Sequence, residues 1–181
     1  MELHGQTFHC WKEKGHGYMS LKNAMKQSCD TYFYEVARKL GVDRLKITAD
    51  KFGLGNKVLG EYFENEKAGQ FPDTKWKINN LGKGWVLGET LITGIGQGYT
   101  QTTPIQLCLM TAQIANGGYK ITPKILTDDN QLTSEQVKKA MQDSKLNNNY
   151  EPLYKDQRNI KIVQEIMFSS TNEIRGTSYK S

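Results

Sequence analysis

Cysteine is scarce in this chain: Cys10, Cys29 and Cys108 are the only three among 181 residues. An odd, sparse count excludes a disulfide scaffold. The absence of any Cys-x-x-Cys pair argues against a small thiol-redox protein. No run of about 18 apolar residues occurs, so no segment is long enough to span a membrane as a helix. The start, Met1-Glu2-Leu3-His4, lacks the basic-then-apolar pattern of a secretory signal. Any targeting segment of an exported parent is therefore expected outside this chain. Basic residues are not gathered into a stripe with aromatics at regular spacing, so no nucleic-acid partner is expected. The net charge of +5 is spread among acidic residues and reads as solvated faces. Internal repeats and composition breaks are also missing, which leaves one domain covering 1–181.

What is present suits a soluble domain with a core: 37% of residues are hydrophobic and 24% charged. Residues 1–19 read as irregular. Ser20 is placed to cap a helix whose face carries Leu21, Ala24, Met25 and position 28. A second stripe follows at once, Phe33, Val36, Ala37 and Leu40, closed by Gly41. Ser28-Cys29-Asp30 thus falls where the two stripes meet, with Asp30 available to cap the second helix. A short helix is predicted over 43–52, stopped by Gly53-Leu54-Gly55. Residues 55–93, with Pro72 and exposed Trp76 and Trp85, read as long surface connections. Thr103 as N-cap and Pro104 at the first position start a helix to about Ala115, stopped by Asn116-Gly117-Gly118. Within it Cys108 reads as core packing. Tyr119 to Leu126 alternates like an edge strand. Residues 127–156 are polar, with a loop at Asn147-Asn148-Asn149. A last helical stripe covers 157–169, marked by Ile160, Val163 and Met167.

Two stretches could carry chemistry. In Ser28-Cys29-Asp30, a hydroxyl and a carboxylate two positions apart at a helix junction can face one cleft. Taken alone, the triplet fits a helix cap with no catalytic role better. The segment Gly94-Ile95-Gly96-Gln97-Gly98 has the glycines of a nucleotide loop, but no apolar strand leads into it and the next helix starts too late to hold phosphate. It otherwise reads as a tight loop that brings backbone close to another element.

Taken together, the landmarks are specific. Leu21, Ala24-Met25, Ser28-Cys29-Asp30-Thr31-Tyr32-Phe33-Tyr34 and Gly41 come first. Gly94-Ile95-Gly96-Gln97-Gly98, Thr103-Pro104, Gln106 and Asn116-Gly117-Gly118 follow. In this the chain resembles the class B penicillin-binding proteins. Lys14-Gly15-His16-Gly17 and the aromatics after Asp30 favour the rod-shape elongation branch over the septal one. The likeness covers roughly residues 8–126, and Arg175-Gly176-Thr177 resembles the Gly-Thr that precedes the family's last motif.

The resemblance implies an α+β fold: the mostly helical lobe of a β-lactamase/transpeptidase-like domain, with its sheet incomplete. It also implies a serine acyl-enzyme that cross-links peptidoglycan stem peptides and is blocked by β-lactams, needing no cofactor for catalysis. Ser28 would relay protons and Asp30 would hold the substrate amide; Asp replaces the more general Asn of Ser-x-Asn. The parent would be anchored in the inner membrane with a periplasmic catalytic domain, among membrane proteins of the elongation complex.

Neither Ser-x-x-Lys nor Lys-[Ser/Thr]-Gly occurs in the chain. Both motifs are expected outside it, one before Met1 and one after Ser181. The chain alone is accordingly expected to be inactive and to self-associate through exposed apolar surface. Cys10, His16 and Cys29 form a Cys-x5-His-x12-Cys pattern of soft donors suited to Zn2+, and the resemblance implies a structural zinc at these positions. The fourth ligand would come from upstream sequence, water, His9 or His4. Buried cysteines with a packed His16 are the alternative. The competing functional reading is a non-catalytic scaffold module that kept the helical lobe.

Overall fold

The computed structural model describes residues 1–3, 5–60, 63–123, 135 and 151–179. The expected strand over Tyr119–Leu126 and the loop at Asn147-Asn148-Asn149 fall partly or wholly outside them. Among the described residues, β1 (Glu2–Leu3) and β2 (Gln6–Thr7) form one antiparallel ladder, with Glu2 opposite Thr7 and Leu3 opposite Gln6. Everything else regular among the described residues is helical: α1 (Leu21–Lys26), α2 (Asp30–Leu40), α3 (Val42–Lys51), α4 (Thr74–Leu81), α5 (Leu87–Thr93), α6 (Pro104–Ala115) and α7 (Arg158–Asn172). This is the mostly helical α+β arrangement that the sequence implies. No described helix is long and apolar enough to cross a membrane.

Helix α2 packs on α3 and α5, α1 packs on α7, and α6 also meets α7. The core side chains include Ala24, Ala37, Leu91, Leu109, Ile160 and Ile166. At about 25 cal/mol per Å2 of apolar surface removed from water, these faces supply most of the drive to fold. Two buried glutamines on α6 then tie down the long loops. The Gln106 Nε2 donates to the carbonyls of Asn56 (2.7 Å) and Ala68 (2.6 Å). The Gln113 Oε1 accepts from the Ile121 N–H at 3.1 Å. An amide buried with its partners satisfied holds irregular backbone in place without an apolar anchor.

Several expectations are corrected. Residues 55–93 contain α4 and α5, which sequence periodicity does not show. Helix α4 is polar, and the residue it buries is Lys77, so it has no apolar stripe to read. Its start is set by Asp73, whose carboxylate accepts from the Trp76 N–H at 2.6 Å, and its end by Gly82 in the left-handed region. Trp76 and Trp85 are half-buried against Tyr99, with ring centroids 5.3 and 6.5 Å away. Cys108 is exposed. Helix α6 turns Gln106, Leu109 and Gln113 inward, and Cys108 lies about 100° around the helix from Leu109. Along α2 the buried residues are Tyr34 and Ala37, while Leu40 is exposed; along α7 they are Ile160, Ile166 and Ser169, while Met167 is exposed. Tyr119 bridges Pro152, and no continuous strand runs through 120–123.

Candidate functional site

Helix α1 stops after Lys26, before position 28 can join its face. The Cys29 N–H reaches the Ala24 carbonyl at 2.8 Å, and the Ser28 N–H reaches that of Met25 at 3.2 Å. This double closure puts Ser28 at the left-handed position of the cap, where glycine is usual. Its φ is 51°. A non-glycine residue there carries roughly 1–2 kcal/mol of strain, so the surrounding contacts must hold it. Trp11 supplies them: its indole N–H donates to the Ser28 carbonyl at 2.8 Å and the Gln27 carbonyl at 3.2 Å. The turn leaves the Ser28 side chain exposed.

Asp30 is the first residue of α2, and Cys29 is its cap residue, so Asp30 is not the N-cap. The Asp30 Oδ2 accepts from the Trp11 N–H at 2.9 Å, and its charge sits at the positive end of the helix dipole. Tyr34, one turn along, donates its hydroxyl to the His9 carbonyl at 3.3 Å. Burial, then the nearby Asp30 and Cys10, push the Tyr34 phenol above its ordinary pKa.

A third element meets the turn from the far end of the chain. The Thr177 Oγ1 lies 3.0 Å from the Ser28 Oγ, and the Thr177 N–H donates to the Lys26 carbonyl at 3.1 Å. The end of α7 is pinned to α1 by Glu173, which receives Lys26 Nζ at 2.8 Å and Lys22 Nζ at 2.9 Å. Sequence reasoning singled out Gly176-Thr177 but missed Trp11, Lys26 and Glu173. A tryptophan in an irregular stretch and two ordinary charges, Lys26 and Glu173, that lie 147 positions apart carry no local signal of the junction.

Hydrogen bonds first from Lys26 and then from Lys22 hold the Glu173 carboxyl below the usual carboxylate range. A depressed carboxylate stabilises the fold above its unfolded pKa and loses that contribution as pH falls through its folded one. The stability difference between the native chain and Glu173→Gln is therefore expected at neutral pH. It should shrink towards zero as pH drops below the ordinary carboxylate range. Parallel thermal melts across pH check this; a gap that does not narrow in acid would remove Glu173 from the account.

Cys10, His16 and Cys29 also come together. Their donor atoms all lie within 4.8 Å of one another, with Cys10 Sγ and His16 Nδ1 at 3.4 Å. Cys29 is buried, and its sulfur lies 3.4 Å from the Thr31 Oγ1. Among the described residues this donor group has three members, and His9 is not one of them; His4 lies outside the described residues. A cavity of about 250 Å3 beside Lys51, Lys57, Gln113 and Lys120 lies elsewhere and holds none of these residues.

A serine on a left-handed helix-to-helix turn, a carboxylate two positions on and a Gly-Thr delivered from the end of α7 define a transpeptidase-type helical lobe. The chain belongs to the penicillin-binding protein transpeptidase domain family, whose model matches residues 2–180. It is 39% identical over 119 residues to the peptidoglycan D,D-transpeptidase MrdA of Acinetobacter baumannii, covering 66% of this chain and 18% of that protein. The crystal structure of Pseudomonas aeruginosa PBP2 in complex with WCK 5153 is similar with a TM-score of 0.79 and 37% identity, over 98% of this chain and 37% of that one. A complex of PBP2 and MreC from Helicobacter pylori is similar with a TM-score of 0.78 and 29% identity, over 99% of this chain and 31% of that one. The chain thus spans about a fifth of the length of the curated relative.

Proposed function

We propose that this chain is the helical lobe of a peptidoglycan D,D-transpeptidase, in which Ser28 relays protons beside the acylated serine and Asp30 holds the substrate amide. The observation that carries this reading is the Ser28 hydroxyl, presented to solvent by a strained turn and met at 3.0 Å by Thr177. A strained non-glycine residue held by neighbours on both sides is characteristic of a functional position. The substrates are stem peptides, and β-lactams occupy the same cleft. Similarity to a PBP2 bound to MreC supports membrane-associated elongation partners. The proposed setting is a periplasmic domain on an inner-membrane anchor. Exposed Ile162, Phe168 and Ile174 support self-association of the chain on its own.

The test uses the full reading frame, which this reading expects to carry Ser-x-x-Lys and Lys-[Ser/Thr]-Gly. Ser28→Ala or Asp30→Ala should slow acylation by a fluorescent penicillin by about 10²-fold, the usual scale for a proton-transfer group. The 1–181 chain by itself should take up no label. Full-rate acylation of both variants, or labelling of the isolated chain at Ser28, would refute the assignment.

The donor set next to the turn fits a structural Zn2+ held by Cys10, His16 and Cys29. Adjacent sulfur and nitrogen ligands on a tetrahedral zinc lie about 3.6 Å apart, given bonds of about 2.3 and 2.05 Å. The 3.4 Å between Cys10 Sγ and His16 Nδ1 is close to that separation. Such a metal would fasten the 9–17 loop to the Ser28 turn and take no part in acyl transfer. Purified protein should carry about one zinc per chain, and Cys29→Ser should abolish it. A zinc-to-protein ratio near zero in the unaltered chain would refute the site.

A further inference from the structure

Ser28 and Arg175 are the two non-glycine residues, among those described, in the left-handed region, with φ 51° and 70°. They flank one contact, and strain held at two sides of a contact marks a position that the fold has to fix. Gly176 follows Arg175. A methyl there would stand 2.1 Å from the Ser170 carbonyl oxygen and 3.0 Å from that of Glu173. Backbone oxygens cannot swing aside, so only glycine fits. The strained arginine and the bare glycine have one product: the chain doubles back after α7 and sets Thr177 against the end of α1. The Thr177 N–H donates to the carbonyl of Lys26, the last residue of α1, at 3.1 Å. The Ser178 N–H donates to the Ser170 carbonyl at 3.2 Å, and the Glu173 clamp holds the start of the turn.

The Thr177 side chain follows its backbone. Its Oγ1 lies 3.0 Å from the Ser28 Oγ, against 3.4 Å from both the Ser170 Oγ and the Lys26 carbonyl oxygen. Hydroxyl hydrogen bonds normally measure about 2.5–3.0 Å, so Ser28 is the partner in range. An exposed serine without a partner samples its staggered rotamers. Thr177 is the stiffer of the two, because it is β-branched and its N–H is pinned. We propose that Thr177 is a positioning residue that selects the Ser28 rotamer. Trp11 fixes the backbone of the turn through the Ser28 carbonyl, and Thr177 fixes the side chain. The remaining hydrogen-bonding capacity of the Ser28 hydroxyl is then aimed at substrate. Thr177 keeps its own proton throughout. This role rests on the Ser28 relay proposed above and adds the group that orients it.

The test is a series of acylation rates with a fluorescent penicillin, measured on the product of the full reading frame. Thr177→Val keeps the shape and the backbone N–H and loses only the hydroxyl. It should slow acylation about fivefold, the scale of one hydroxyl hydrogen bond, and leave the thermal midpoint in place. Thr177→Ser, which keeps the hydroxyl, should restore most of the rate. In a Ser28→Ala background, Thr177→Val should cause no further slowing, because a group that acts through Ser28 has nothing left to orient. A purely structural Thr177 would slow both backgrounds alike. Equal slowing in the two backgrounds would overturn the Thr177 role and leave Ser28 standing, as would a native rate for Thr177→Val beside a slowed Ser28→Ala. A native rate for Ser28→Ala would sink the relay reading, and this role with it.

Discussion

Glu89→Ala should lower the thermal midpoint of this chain by on the order of 10 °C. Lys77 is the most deeply buried cation among the described residues, with 5% of its surface exposed, and its Nζ lies 2.5 Å from the Glu89 Oε1. Removing one partner of such a pair leaves an ammonium in a poorly solvated site, which costs about 3–5 kcal/mol. In a domain of this size each kcal/mol moves the midpoint by roughly 2–4 °C. The carboxylate also accepts from the Val86 N–H at 3.0 Å at the start of α5 and lies 3.5 Å from the Tyr99 hydroxyl. Its loss therefore loosens α4, α5 and the glycine loop together. Glu89→Gln keeps an acceptor for Lys77 and should lose less. The pair Lys77→Met with Glu89→Leu removes both charges and should recover most of the loss, since apolar replacements of buried pairs are often neutral or better. A midpoint for Glu89→Ala within 2 °C of the native value would mean that water reaches Lys77 and that the pair is not what fastens these helices.

That ion pair also shows where the sequence was legible and where it was not. Helices α2, α3, α6 and α7 were readable because their apolar spacing, the Thr103-Pro104 start and the Gly41 stop are local signals. Helix α4 was invisible because its inward residue is a lysine whose partner lies twelve positions away. Core faces were misjudged for a related reason. Buried Gln106, Gln113 and Ser169 take places that a hydrophobicity pattern assigns to neighbours such as Cys108 and Met167. At the candidate site, Ser28-Cys29-Asp30 and the three soft donors were legible as residue types at fixed spacing. The left-handed Ser28 was not, because a serine in a position usually taken by glycine gives no local sign. Nor was the Glu173 clamp, which exists only once α7 has docked on α1.

Gly94→Ala tests the other half of the glycine segment, and its effect should be comparable. Gly94 has φ −63°, so its backbone accepts any residue, and only space can matter. A methyl there would stand 2.3 Å from the Ala37 Cβ, with the Leu91 carbonyl at 3.2 Å and the Phe33 carbonyl at 3.4 Å. Ala37 is 1% exposed and has no flexible end that could swing aside. Helices α2 and α5 would have to separate by about 1 Å, and overpacking of a tight core costs typically 1–3 kcal/mol. The turn that carries Asp30 opens α2, so the displacement would reach the candidate site as well as the core. Ala37→Gly in the same chain removes the colliding methyl. By itself it should destabilise by about 1 kcal/mol, the usual cost of glycine inside a helix. Combined with Gly94→Ala it should give a protein more stable than Gly94→Ala alone, because the two changes share one contact and cannot add. If the double variant is less stable than either single one, the helices are not touching at this point. The requirement for glycine at the head of Gly94-Ile95-Gly96-Gln97-Gly98 would then belong to the loop and not to the packing of α5 on α2.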